Sequence, residues 1–291
     1  MIRLAPLLIG LLPAFLLLSA CSDEPVPADP AIWRVDGPEG QQAWLFGTIH
    51  GLDKPADWQT AAVARALTSA DVLIVEVAGL EDQAAMARTF ARLARTPDLP
   101  PLLQRVTPPA REALARLMRQ HGLDEKQFAE VETWAAALTL ARAAGSANKA
   151  KHGIDRAVMR AFAGRPVIEL EGADAQLRIF DRLPEKEQRD LLEAVIADAD
   201  AAMGDTADLP RAWREGDMAA IERESRKGLL ADPELRQALF TTRNLAWRDR
   251  IIGTMREGRR PFVAVGAAHM AGADGLPRLL AAKGYSVTRL D

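Results

Sequence analysis

Cysteine is nearly missing from this chain. One Cys in 291 residues excludes a disulfide-stapled scaffold and a zinc site built on thiolates. Histidine is scarce as well, with four residues: His50, His121, His152 and His269. There is no excess of basic charge, since 37 Lys and Arg face 40 Asp and Glu for a formal net charge of −3. That balance argues against nucleic acid as a partner, which calls for a basic excess gathered into a stripe. Gly (20) and Pro (18) stay at ordinary levels, so fibrous repeats are excluded. What is present, 48 % hydrophobic and 26 % charged residues, suffices to bury a sizeable core in one large domain or two modest ones.

The N-terminus reads as a targeting segment. Residues 1–20 carry one charge, Arg3, followed by a Leu-dominated apolar run that ends in Leu18-Ser19-Ala20-Cys21. Small residues directly before a Cys match the lipobox of a bacterial lipoprotein signal. The expectation is a signal peptide over 1–20, removed in the mature protein, with the lipid on Cys21 as the link to the membrane. An uncleaved membrane-spanning anchor is the alternative. Cleavage leaves 36 basic and 40 acidic side chains, a formal charge of −4. Residues 21–30, rich in polar residues and Pro, read as a lipidated tether. The implied location is the cell envelope, anchored and facing the periplasm, with Ser22 pointing to the outer rather than the inner membrane.

Along the mature chain, two strands are expected at Ala31–Val35 and Ala43–Gly47, joined by the turn Asp36-Gly37-Pro38-Glu39-Gly40. A helix near 57–69 precedes Val72-Leu73-Ile74-Val75-Glu76-Val77, a run suited to a strand buried on both faces. A helical insertion spans about 81–164, with Thr107-Pro108 as an expected cap and first helical position. A strand returns at Pro166–Glu171, helices fill most of 184–257, and Asp232-Pro233 marks another helix start. The last strands are Phe262–Val265 and Tyr285–Thr288, with a helix near Leu276–Lys283 between them. The fold class is α/β, with α+β as the variant. It has a central mixed, largely parallel sheet built from both chain ends, carrying a large helical insertion in one domain over 31–291.

Two segments echo each other. Trp44–His50 and Phe262–His269 are both apolar strands that end in Gly-x-x-His. In an open α/β sheet, ligands bind beyond the carboxyl ends of the strands, so both histidines are site candidates. Glu76 sits inside an apolar strand, where an unpaired carboxylate costs several kcal/mol, roughly 2–7 for a polar group by transfer measurements. It must lie at the strand end, pair with a buried cation, or bind a metal. His50, His269 and Glu76 together suit Zn²⁺, Mn²⁺ or Co²⁺, and also Fe²⁺. Arg243 falls on the stripe Leu239, Trp247, Ile251 and so faces inward. It either holds Glu76, stabilises an oxyanion, or snorkels out from the stripe edge. Glu169 and Glu171 alternate along one strand face, and Asp155 is a further loop acid.

These residues resemble the TraB/GumN family, which includes the TIKI proteases and shares a fold with erythromycin-esterase-like proteins. The resemblance is carried by Leu45-Phe46-Gly47-Thr48-Ile49-His50-Gly51, the Glu76 strand and Val263–Gly272. It extends to His152-Gly153-Ile154-Asp155, Glu169-Leu170-Glu171 with Gln176, Trp213–Asp217 and Arg243-Asn244, and covers Trp33 to Asp291. It implies a site formed by His50, Glu76 and His269. In TIKI relatives the corresponding residues are tied to metal-dependent peptide hydrolysis; in esterase-like relatives a His is the general base. The reading is a periplasm-facing lipoprotein that hydrolyses peptide or ester bonds. His50, His269 and Glu76 are its metal ligands, Glu76 and Arg243 its catalytic residues, and Asp155 and Glu171 further site acids. A non-catalytic ligand- or metal-binding lipoprotein and a metal-free His-based esterase stay open beside it.

Cys21→Ser is expected to release the protein from membranes into the soluble fraction, as measured by fractionation after high-salt and carbonate washing.

Overall fold

The computed structural model describes residues 24–79, 82–145, 149–201 and 208–290. The expected signal peptide and Cys21 lie outside them. The elements are β1 (Val26–Pro27), β2 (Ile32–Asp36), β3 (Gln42–Thr48), β4 (Ala56–Asp57), α1 (Ala61–Ser69), β5 (Val72–Val75), α2 (Gln83–Leu93), α3 (Ala110–Gln120), α4 (Thr133–Ala144) and α5 (Ile154–Ala161). They continue with β6 (Val167–Glu169), α6 (Gly172–Asp181), α7 (Glu185–Ala201), α8 (Asp208–Arg214), α9 (Met218–Glu224), α10 (Pro233–Arg236), α11 (Thr242–Arg256), β7 (Pro261–Gly266), α12 (Leu276–Ala281) and β8 (Ser286–Leu290).

The main sheet has the order β6-β5-β7-β3-β2-β8. Its first four strands are parallel to one another, while β2 runs antiparallel to both β3 and β8. The sheet is therefore mixed and built from both ends of the chain, as the apolar runs require. Side chains alternate across it. Phe46, Leu73, Phe262 and Ala264 pack on one face with Val63 of α1 and Val158 and Phe162 near α5. Leu45, Ile74, Val263 and Val265 pack on the other with Trp247 and Ile251 of α11 and Leu280 of α12. All of Val72–Val75 is buried because both faces are covered.

The helical part has its own core, in which Leu114, Trp134 and Leu140 meet Leu177, Leu191 and Leu192. This redraws the expected insertion. Helices α2–α4 belong to that second core, but α6 and α7 join them from beyond β6. Helix α5 returns to the sheet face, where Ile154 and Val158 find apolar partners. Arg105 pins loops of this part with no carboxylate: its guanidinium donates to Pro100 O (2.7 Å), Val131 O (2.5 Å) and Phe128 O (3.0 Å).

Two local expectations resolve differently. Asp232 caps α10 as read, accepting from Leu235 N at 2.9 Å with Pro233 in the first turn. Thr107 does not cap α3, which starts at Ala110; its N–H and hydroxyl donate to Glu193 instead. The expected tether is also partly folded. Val26 N donates to Pro55 O (2.8 Å) and Asp29 N to Arg214 O (2.7 Å), so the chain is stitched down from β1 onward. Among the described residues no helix is long and apolar enough to cross a membrane.

Candidate active site

Strands β5, β7 and β3 are adjacent and parallel, and they end together. Thr48 pairs with Gly266, and Val75 with Ala264. The segments that leave this edge carry His50, Glu76 and His269, so the two Gly-x-x-His units lie side by side. Gly47 serves close approach. A Cβ on Gly47 would sit 2.9 Å from the Cα of Ala267. A Cβ on Gly266 would lie 3.5 Å from Glu76 Oε1 and 3.7 Å from His269 Cδ2, between the acid and the ring.

Glu76 lies just past the end of β5 and is paired. Its Oε1 accepts from Gly266 N (2.9 Å), and its Oε2 accepts from Arg243 Nη2 (2.9 Å) and Gln176 Nε2 (3.1 Å). Arg243 also donates to both oxygens of Glu171, from Nε at 2.8 Å and Nη2 at 2.9 Å, and from Nη1 to Leu239 O at 3.0 Å. Four of its five N–H groups are directed at acceptors. Its side chain is 13 % exposed, so it does not snorkel. Burial opposes the guanidinium charge, but Glu171 and Glu76 outweigh it and hold the pKa above its ordinary value. Glu171 is completed by Trp247 Nε1 at 3.0 Å. It does not share a strand face with Glu169, because β6 ends at Glu169 and Gly172 (φ 76°) turns the chain. Glu169 instead accepts from Ala78 N.

His50 sits at the mouth. Its Nδ1 meets Asp155 Oδ2 at 2.8 Å, and Thr48 Oγ1 donates to Asp155 Oδ1. Asp155 is in the first turn of α5, where a carboxylate is favoured, and Ile154 N donates to Ile49 O (2.9 Å), which locks this turn to the His50 loop. Burial works against the Asp155 charge, yet the His50 and Thr48 hydrogen bonds hold its carboxyl below the usual range. The Asp155 hydrogen bond, then its charge, raises His50 to about 9. The imidazole is 81 % exposed and Asp155 16 %, so His50 presents a charged, carboxylate-oriented ring to solvent.

His269 is the opposite case. It is 8 % exposed, stacked on Phe240 (centroids 4.7 Å) and tilted against Trp247 (4.5 Å). Burial first, then the Arg243 charge, push its pKa well below the ordinary imidazole value. Its Nδ1 lies 2.7 Å from Asn244 Oδ1. Phe240 belongs to a π-helical turn, Gln237–Thr241, that precedes α11.

A small cleft of about 40 Å³ is lined by His50, Glu76, Asp155, Gln176, Met159 and the apolar side chains of Val75, Val77 and Ala264. It gathers the expected His50, Glu76 and Asp155. Arg243 and Glu171 stand behind Glu76, and His269 flanks it at Gly266. His121 ends α3 and His152 precedes α5. Sequence reasoning missed Thr48 as the second donor to Asp155 and Asn244 as the partner of His269. Both were marked only by standing beside the motif residues. Among the described residues no group of three or more His, Cys, Asp or Glu side chains is placed to hold a metal ion. The cation beside Glu76 is Arg243, and the expected ligands His50, Glu76 and His269 do not form such a group as placed.

The fold and site together define an α/β protein with a cleft lined by a His–Asp pair and a largely buried carboxylate at the carboxyl edge of its parallel strands. The chain belongs to the TraB/PrgY/gumN family, whose model matches residues 31–289. It is 30 % identical over 250 residues to the uncharacterized protein YbaP of Shigella flexneri and to that of Escherichia coli K12, covering 84 % of this chain and 89 % of each relative. No solved structure matches it.

Arg243→Ala leaves Glu76 and Glu171 buried without their cation. It is expected to cost about 3–5 kcal/mol, the loss seen when a buried pair is broken from one side. Arg243→Lys, which cannot span both carboxylates with a planar fork, should fall between the two proteins. Denaturant melts of the three check this.

Proposed function

We propose that the chain is a hydrolase of ester or peptide bonds, with His50 as proton donor and Glu76 as the base that activates water. The observation that carries this reading is the cleft itself, lined at once by the Asp155-oriented His50 and by Glu76. Glu76 Oε1 accepts one N–H, from Gly266, which leaves it capacity to accept a proton from water. In the reaction the water oxygen bonds to the carbonyl carbon while its proton passes to Glu76. The C–O or C–N bond breaks, and His50 Nε2–H protonates the departing oxygen or nitrogen. The products are a carboxylic acid and an alcohol or amine. Arg243 enters as the clamp on Glu76 rather than as an oxyanion donor, since its N–H groups are directed at Glu76, Glu171 and Leu239. No step is routed through a metal ion. With Cys21 lipidated, the cleft works close to a membrane surface, because β1 runs beside the loop that follows His50.

The test is turnover on a panel of activated esters and short peptides, in chelator and separately with Zn²⁺, Mn²⁺ or Co²⁺. Turnover that survives chelation and falls about 10²-fold or more in His50→Gln is expected, the usual contribution of a positioned acid. The raised His50 pKa fixes the pH limb. The donor form is complete below the ordinary imidazole value of about 6.5 and is lost as pH rises through about 9, and the stabilisation from the Asp155 pair fades over the same range. Turnover only with added metal would return His50, Glu76 and His269 to the role of ligands. No turnover under any condition would favour the non-catalytic binding protein.

A further inference from the structure

We propose that Asn244 is a positioning residue that fixes the proton of His269 on Nδ1 and so keeps Nε2 bare, as a second acceptor for the water that Glu76 activates. This rests on the hydrolase reading for its purpose, but the tautomer itself follows from hydrogen bonds alone.

The orientation of the Asn244 amide is dictated by its surroundings. Its Nδ2 faces two carbonyl oxygens, Asp274 O at 2.7 Å and His269 O at 3.4 Å. Turning the amide over would set Oδ1 against both, acceptor against acceptor. Asn244 is fully buried, where such a mismatch carries the whole desolvation penalty. The neighbouring loop is fixed as well, since Asp274 takes two hydrogen bonds from Arg236 and one from Thr241. Oδ1 is therefore what meets His269 Nδ1 at 2.7 Å, and an oxygen at that distance requires the N–H on Nδ1.

The consequence appears on the other side of the ring. Cδ2, which adjoins Nε2, lies by Gly266, where Glu76 Oε1 also lies. A water there can give one proton to Glu76 Oε1 and the other to Nε2, turning an oxygen lone pair toward the substrate. In the opposite tautomer Nε2 would carry an N–H and could accept no proton from such a water. Phe240 and Trp247 hold the ring plane, while Asn244 selects which nitrogen is the acceptor.

The experiment is a long-range ¹⁵N–¹H correlation spectrum of the full ¹⁵N-histidine-labelled protein, with His269→Gln used to assign its signals. A protonated-type Nδ1 and a bare-type Nε2 for His269 are expected, and the reverse pattern overturns the proposal. In Asn244→Leu the signals should move toward the Nε2–H form, and kcat should fall at least about tenfold with KM changed by less. An unchanged tautomer in that variant overturns the assignment to Asn244. If Asn244→Leu does not fold, the spectrum of the unaltered protein still decides, because a bare-type Nδ1 or a protonated-type Nε2 on His269 overturns the proposal. The spectrum needs no substrate, so a failed hydrolase reading and a failed tautomer assignment give different results.

Discussion

The carboxyl edge of this sheet is organised around one guanidinium. Arg243 reaches from α11 to Glu76 past the end of β5 and to Glu171 in the turn after β6. Three elements far apart in sequence thus share one buried charge. Two carboxylates this close would repel, and each would be costly to bury alone. With Arg243 between them, both take a fixed orientation, and Gln176, Trp247 and the Gly266 N–H supply further donors. Such a cluster is weak evidence for stability gained, since two apolar side chains could fill the same space. Its use is orientation: it aims one oxygen of Glu76 at Gly266 and the cleft.

The two Gly-x-x-His units show how the same short sequence acquires opposite electrostatics. His50 leaves the end of β3 into an open mouth and meets a carboxylate. His269 leaves the end of β7 into a 3-10 turn beneath Phe240 and Trp247 and meets an amide. The first environment favours the charged ring and the second the neutral one, so the two pKa values are driven apart. The same edge of the sheet thus carries one charged ring open to solvent and one neutral ring held away from it.

Much of this was legible from residues. The apolar runs gave the strands because parallel strands covered on both faces leave no room for polar alternation. The inward stripe of Leu239, Trp247 and Ile251 gave the direction of Arg243, and the oddity of Glu76 in an apolar run called for a strand end, a buried cation or a metal, of which the first two are found. Other features escaped for physical reasons. The π-helical turn at Gln237–Thr241 adds a residue that no periodicity announces. Glu171 was misread because a left-handed Gly172 ends the alternation just past the strand. The split of the helices between two cores depends on which faces meet in space, and Ala- and Leu-rich helices look alike in either setting. Asn244 carries no hydropathy signal, and its role depends on two backbone carbonyls supplied by other segments.

The position of the cleft follows from chain order. Strand β7 enters the sheet last of the parallel set and takes the place between β3 and β5, both formed much earlier in the sequence. The chain therefore leaves β3 and β5 with their carboxyl ends on either side of a slot that only β7 fills. In an open α/β sheet such a slot is where connections diverge and a crevice opens. Here the crevice is walled by α5 on the side of β3 and by the α6 turn on the side of β5, and these bring Asp155 and Glu171 to the edge. Its back is closed by α11, which follows the chain's long helical excursion and delivers Arg243 and Asn244 on adjacent positions. Adjacent helical residues point about 100° apart, so one can turn to the acids and the other to the ring. That divergence lets a single helix govern the charge on one side of Gly266 and the proton position on the other.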